Sequence, residues 1–228
     1  MKVLVVGATG GSGRAAVAEL VRRGHEVTAL ARSAASLDGP RVRGVDGDAT
    51  DPAVVEGLVA GQDAVVVTLG ISEPALRVRL LGPARTPIDV RSRGTRHVID
   101  AMRRHGVRRL VVQTSYGVGE TRALLPVTSR IFFALFIAPQ IADTERQAQA
   151  LHASGLDWVE VQPVNLTDDD DEDGDGPPVH ASTDGEIRGL RVSRQQVGRF
   201  LADAVESDTH VGRTVSLSSE PAAKALRV

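Results

Sequence analysis

Apolar positions along the chain fall into short, nearly unbroken runs, separated by longer stretches in which they recur at helical spacing. Residues 3–6, 26–30, 42–45, 64–67, 110–113 and 158–161 read as strands. Several are almost wholly apolar, as a strand covered on both faces must be. Residues 13–23, 52–60, 88–105 and 142–153 read as helices. In the third, Val90, Val98, Ile99 and Met102 make an apolar face, with Arg on its other positions. Gly24, Gly61, Gly106 and Gly155 stand where helices should end before the next strand. Residues 195–205 add one more helix and 214–217 a last strand. Strand–helix units joined by such short connections predict an α/β fold with a doubly wound parallel sheet.

Composition narrows the chemistry. The 228 residues are 42% apolar and 25% charged, enough for one large domain with a real core and thin for two. There is no Cys, which removes disulfides, thiolate nucleophiles and thiolate metal sites together. The net charge of −2 implies no polyphosphate-binding field, so nucleic acid is not an expected partner. Lys2 and Lys224 are the only lysines among 27 basic residues, a skew that points to codon bias rather than function. No apolar run approaches the roughly 18–20 residues that span a bilayer, and no signal segment is visible, so a cytoplasmic protein without a membrane partner is expected. The oligomeric state stays open between monomer and homodimer.

The first strand runs into Gly7-Ala8-Thr9-Gly10-Gly11-Ser12-Gly13-Arg14 and then the first helix. Glycines at 7, 10 and 13 suit a phosphate cradle. Gly7 permits a tight turn, Gly10 lets backbone approach a pyrophosphate, and Gly13 lets the helix pack closely on the sheet. The helix N-terminus, with Thr9, Gly11 and Ser12 beside it, aims N–H groups at the anion. After the second strand comes Leu30-Ala31-Arg32-Ser33, with no acid to accept from an unmodified ribose. Arg32 offers a planar charged fork to a 2′-phosphate, Ser33 a hydroxyl, and Arg14 can assist, so NADP(H) is the expected cofactor. The alternative is that Arg32 is one solvated charge in an Arg-rich chain. Asp48, followed by Ala49, has two roles open to it: accepting the adenine amino hydrogens, or turning the chain into the helix near Pro52. Leu69 and Gly70 end the fourth strand beside the crevice.

These segments, with Gly47-Asp48, the run from Ala60 to Val67, Thr114-Ser115-Tyr116-Gly117-Val118-Gly119 and Ala153-Ser154-Gly155-Leu156-Asp157-Trp158, resemble the atypical short-chain dehydrogenase/reductase superfamily. Within it, the similarity is to the NAD(P)H-binding group that contains flavin/biliverdin reductases and NmrA-like proteins. The resemblance implies a Rossmann fold in one unit over residues 1–228, with 115–141 and 164–192 forming a substrate-side lobe. It also implies that Thr114 and Ser115 lie near the nicotinamide or the substrate, and that Pro163, Val164 and Asn165 lie along the nicotinamide face. For Ser115 the bland alternative is a hydroxyl that satisfies a strand end.

The chain departs from the superfamily at its catalytic pattern. Many members carry Tyr-x-x-x-Lys; here the one tyrosine is Tyr116, and Glu120 stands four positions on. Thr144 occupies the position, ten before Ser154, where related members place Lys or His. Neither residue is a good general acid near neutral pH. Hydride transfer to an electron-poor acceptor (a flavin, quinone or enone) needs geometry more than a titrating group. The expected activity is therefore NADPH-dependent reduction of a planar conjugated small molecule. Ser115 or Tyr116 would hold the developing oxyanion, with Asp143 or Thr144 as secondary polar contacts. An NmrA-like redox sensor without turnover is the competing class, and epimerase or dehydratase chemistry a third. The Phe-rich segment 124–137 reads as a wall of an apolar pocket, a core helix or a dimer face. Residues 169–174 match half of a calcium loop but lack the twelfth-position Glu, so no metal is expected.

Overall fold

The computed structural model describes residues 1–71, 86–126, 137–168 and 179–219. In chain order the elements are β1 (Lys2–Val6), α1 (Gly11–Arg22), β2 (Glu26–Ala31), β3 (Val42–Asp46), α2 (Pro52–Val59), β4 (Ala64–Val67), α3 (Val90–His105) and β5 (Arg109–Gln113). They continue with α4 (Ala138–His152), β6 (Asp157–Pro163), β7 (Asn165–Thr167), β8 (Val179–Ser182), β9 (Arg191–Ser193), α5 (Arg194–Glu206) and β10 (Arg213–Ser219). Among the described residues the main sheet runs β3-β2-β1-β4-β5-β6-β10-β8. Its pairings are parallel except at the β8 edge, which is antiparallel to β10. This is the doubly wound Rossmann arrangement, and the strand order reverses between β1 and β4.

The apolar runs are explained by burial on both faces. Val3 and Val5 of β1 pack with Ala16, Leu20 and Leu201 under α1 and α5, while Leu4 and Val6 pack with Val55, Val98 and Met102 under α2 and α3. Two helices pack closely on their neighbours because of glycine. A Cβ at Gly198 of α5 would stand 2.6 Å from the Ala15 backbone of α1, and one at Gly94 of α3 would stand 2.5 Å from a Leu69 methyl carbon. These contacts decide where the first turns of α3 and α5 end up.

The structure extends the sequence reading in three places. Helix α1 begins at Gly11 because Gly10 caps it, although the glycines read as loop. Helix α4 begins at Ala138, with Pro139 in the first turn where a missing N–H costs nothing. The β8 edge and the small parallel β7–β9 pair leave no mark in the hydrophobic pattern, since strands of three or four residues carry too little periodicity. Residues 127–136 of the Phe-rich segment and 169–178 of the acidic one lie outside the described residues. No described helix is long and apolar enough to cross a membrane.

Candidate active site

A cleft of about 510 Å³ opens at the carboxyl ends of the strands, across the β1/β4 reversal. Ligands gather at this place in open α/β sheets, because loops diverge there and helix N-termini face in. A shallower hollow of about 780 Å³ lies at the opposite end of β1–β3, around Lys2, Glu26 and Arg41, away from the glycine loop.

The glycine loop forms the cleft floor through Gly7, Thr9, Gly10, Gly11 and Ser12. Gly7 has φ 89°, which favours glycine, and a Cβ there would stand 2.8 Å from the Thr68 carbonyl oxygen. A Cβ on Gly13 would stand 2.3 Å from the Gly7 carbonyl oxygen, so the start of α1 can lie against the turn only without a side chain. At Gly10 a Cβ would meet nothing of the protein closer than 3.4 Å, so its smallness serves whatever enters the cleft. Arg14 does not line the cleft; its Nε donates to the Thr9 carbonyl at 3.0 Å and braces the loop from outside.

At the β2–β3 end, Arg32 is exposed and lines the cleft, whereas Ser33 is exposed but off it. The turn after Arg32 is set by Asp46, whose Oδ1 accepts from the Ala34 and Ala35 amides at 2.6 and 2.9 Å. Asp48 and Ala49 line the same wall. Asp48 Oδ1 accepts from the Thr50 amide and hydroxyl, both at 2.8 Å, while Asp51 caps α2 through the Ala53 amide. Asp48 is thus a turn former facing the cleft, and not the helix cap. The Thr50 amide, with the charges of Arg32 and Arg93 adding to it, holds the Asp48 carboxyl below the usual aspartate range.

At the β4–β5 end, Leu69, Gly70, Thr114 and Ser115 line the cleft. Ser115 is exposed there. Thr114 is buried, and its hydroxyl donates to Glu160 Oε1 at 2.6 Å. Glu160 is 1% exposed and also accepts from Gln162, His152 and Thr214. Burial alone would raise its pKa; the four hydrogen bonds outweigh that and leave it lowered.

Four expected site residues take other work. The Tyr116 hydroxyl donates to the Gly185 carbonyl at 3.0 Å, and burial pushes its pKa up, which makes it a poorer acid. Asp143 is 1% exposed; its oxygens accept from the Arg91 and Ser92 amides and the Ser92 hydroxyl, capping α3 from α4 in place of the Asp89 side chain, which makes no cap bond. Thr144 is buried and bonds back to the Gln140 carbonyl. Asn165 donates to the Leu190 carbonyl. None of these, nor Pro163 and Val164, lines the cleft; Leu166 does so from that segment.

Two arginines that the sequence reading missed line the cleft. Arg194, the first residue of α5, lies across the glycine loop, where a Cβ on Gly11 would stand 2.2 Å from its Cδ. Its guanidinium pairs with Asp168 at 2.5 Å. Arg91, in the first turn of α3, lies beside Gly70. The signals for both were Gly198 and Gly94, which read as weak helix positions unless close packing is foreseen. Together, the side-chain-less cradle, the α1 N-terminus and the Arg194 cation suit the pyrophosphate of a dinucleotide.

Residues 7–208 match the model of the NAD(P)H-binding family. The chain is 40% identical over 119 residues to a 3-diazoavenalumate denitrifying reductase of a Streptomyces species, covering 50% of this chain and 38% of that protein. It is 37% identical over 128 residues to a 2-alkyl-3-oxoalkanoate reductase of Stenotrophomonas maltophilia strain K279a, covering 56% of this chain and 37% of that one. The chain thus spans well under half the length of these relatives. A short-chain dehydrogenase/reductase of Veillonella parvula DSM 2008, solved in complex with NADP, shares the fold with a TM-score of 0.77 at 16% identity, over 97% of this chain and 99% of that one. A cradle for a dinucleotide and a family match across nearly the whole chain agree: this protein belongs to the NAD(P)H-binding family.

Proposed function

We propose that the protein is an NADPH-dependent reductase acting on a planar, electron-poor small molecule. The observation that carries this reading is the pairing of a dinucleotide cradle with strand ends at which the described residues present no proton donor tuned to neutral pH. Tyr116, Asp143 and Thr144 are all committed to structural bonds. Bound NADPH would supply a hydride to the acceptor. The chain's share of the work is positional: the Gly11, Ser12 and Gly13 amides take the pyrophosphate, Arg32 takes the 2′-phosphate, and Asp48 takes the adenine amino group. Ser115 donates a hydrogen bond to the acceptor oxygen as negative charge grows on it, and the proton follows from water. An acceptor that delocalises this charge needs no stronger acid. That two relatives are named reductases supports the same reading.

A sensor without turnover is the second reading, favoured by the missing Tyr–Lys pair. Mixing the protein with NADPH and a panel of flavins, quinones and enones, and following loss of cofactor absorbance, separates the two. The reductase reading expects turnover on at least one acceptor, and a drop of about tenfold or more in kcat for Ser115→Ala with NADPH affinity unchanged. Tight NADPH binding with no turnover across the panel would overturn it in favour of the sensor.

A further inference from the structure

We propose that Arg91 and Thr86, at the entrance to α3, form a binding site for a carboxylate carried by the acceptor. This rests on the reductase reading and narrows it to anionic substrates.

Three residues that line the cleft each carry a buried polar atom without a hydrogen-bond partner among the described residues: Arg91 Nη1, Thr86 Oγ1 and Gln113 Oε1. Buried polar groups are almost always satisfied, so three orphans around one cleft mark a place where a ligand completes the bonding. Arg91 matters most. A guanidinium withdrawn from water needs an anion. Among the described residues the carboxylate whose charge acts on it is Asp143, which does not bond it: its oxygens are taken up by the Arg91 and Ser92 amides and the Ser92 hydroxyl. The desolvation that Arg91 suffers outweighs the help of Asp143 and draws its pKa below the usual arginine value.

Position separates this group from the pyrophosphate. Arg194 already covers the glycine loop at Gly11. Arg91 lies beside Gly70, beyond β4, and Gln113 ends β5, the neighbouring strand on the far side from β1. Both therefore border the half of the cleft where Thr114 and Ser115 emerge. A fork of two N–H donors and a hydroxyl matches a carboxylate, which accepts on both oxygens. A half-turn of the Gln113 amide presents its NH₂ to the same group. With the carboxylate held there, the conjugated part of the molecule extends toward Ser115.

Calorimetric titration of the NADP⁺-saturated protein with cinnamate and with methyl cinnamate tests this, because the two differ in charge and share a planar conjugated frame. Cinnamate is expected to bind at least about tenfold more tightly than its ester, as suits a charge-assisted pair. In Arg91→Met that preference should vanish with NADP⁺ affinity unchanged. The ligand-free variant should also melt higher than the parent, since an unmatched buried cation is gone; a merely structural arginine would do the reverse. Should Arg91→Met fold poorly, Arg91→Lys is the second variant and should keep the preference for the acid. Equal binding of acid and ester, or a preference that survives Arg91→Met, overturns the proposal. So does a tenfold or greater loss of NADP⁺ affinity in Arg91→Met, which would give the guanidinium to the cofactor's phosphates. Failure of the parent protein to bind NADP⁺ at all would instead sink the reductase reading itself.

Discussion

At the β1–β3 end of the cleft the polar work is done by backbone amides and side chains whose own bonds are satisfied: Asp46 holds the turn after Arg32, Asp48 is fixed by Thr50, and the loop glycines leave amides aimed inward. At the β4–β5 end, Arg91, Thr86 and Gln113 carry unpartnered buried atoms, and the hydroxyls nearby are either exposed or turned away to Glu160 and Gly185. The first end keeps helix-start amides open for its ligand, and the second keeps side chains open. Backbone amides suit an anion common to many cofactors, and side chains suit a guest that varies from protein to protein. On the proposed reductase reading, the comparison places specificity for the acceptor in these unpartnered side chains rather than in a catalytic motif.

The largest effect that would sharpen this contrast is at Gly13. Gly13→Val sets a branched side chain where even a Cβ would be 2.3 Å from the Gly7 carbonyl oxygen, so the loop must move. NADPH binding should weaken by about a hundredfold or more, with a stability loss of about 1–3 kcal/mol from overpacking. Unaltered affinity in calorimetry would break the claim that the first end is preformed.

A smaller change is expected at Glu160, which anchors the second end. Glu160→Gln should cost about 2 kcal/mol in denaturant unfolding, since four donors lose a charged acceptor. The sign with pH follows from two shifts. Glu160 is lowered from 4.5, so its contribution is complete above that value and fades as pH falls through the folded-state pKa. His152 is raised from 6.5 by its bond to Glu160, so its contribution is complete below 6.5 and fades as pH rises through the folded-state pKa. Melting temperature should therefore peak between those values and flatten in Glu160→Gln; an unchanged profile would remove the pair from the account.

The mildest is at Arg194. Arg194→Ala should weaken NADPH and NADH equally, by about tenfold, because the pyrophosphate is common to both. A loss confined to NADPH would move Arg194 to the 2′-phosphate.

The first end was largely legible in the sequence, because its residues are consecutive: one strand, one glycine loop and one helix start fall within Lys2 to Arg22. Arg32, Asp48 and Gly70 follow their strands just as directly. The second end was not. Tyr116 and Asp143 are polar residues at plausible places, but the hydrogen bonds that occupy them come from Gly185 and from Arg91 and Ser92, 69, 52 and 51 residues away. Arg91 and Arg194 reach the cleft through helix packing permitted by Gly94 and Gly198, and no local pattern announces which Arg in an Arg-rich chain will be so placed. Periodicity reveals which face of a helix is buried; it does not reveal how close that face comes.

The central claim, that this fold grips a phosphorylated dinucleotide through the glycine loop and Arg32, is tested most directly by calorimetric titration of the parent protein and Arg32→Ala with NADPH and NADH. The account predicts saturable NADPH binding by the parent, weakened by about 10- to 150-fold in Arg32→Ala, with NADH affinity nearly unchanged. No saturation with either dinucleotide, or an equal loss for both in the variant, would contradict it.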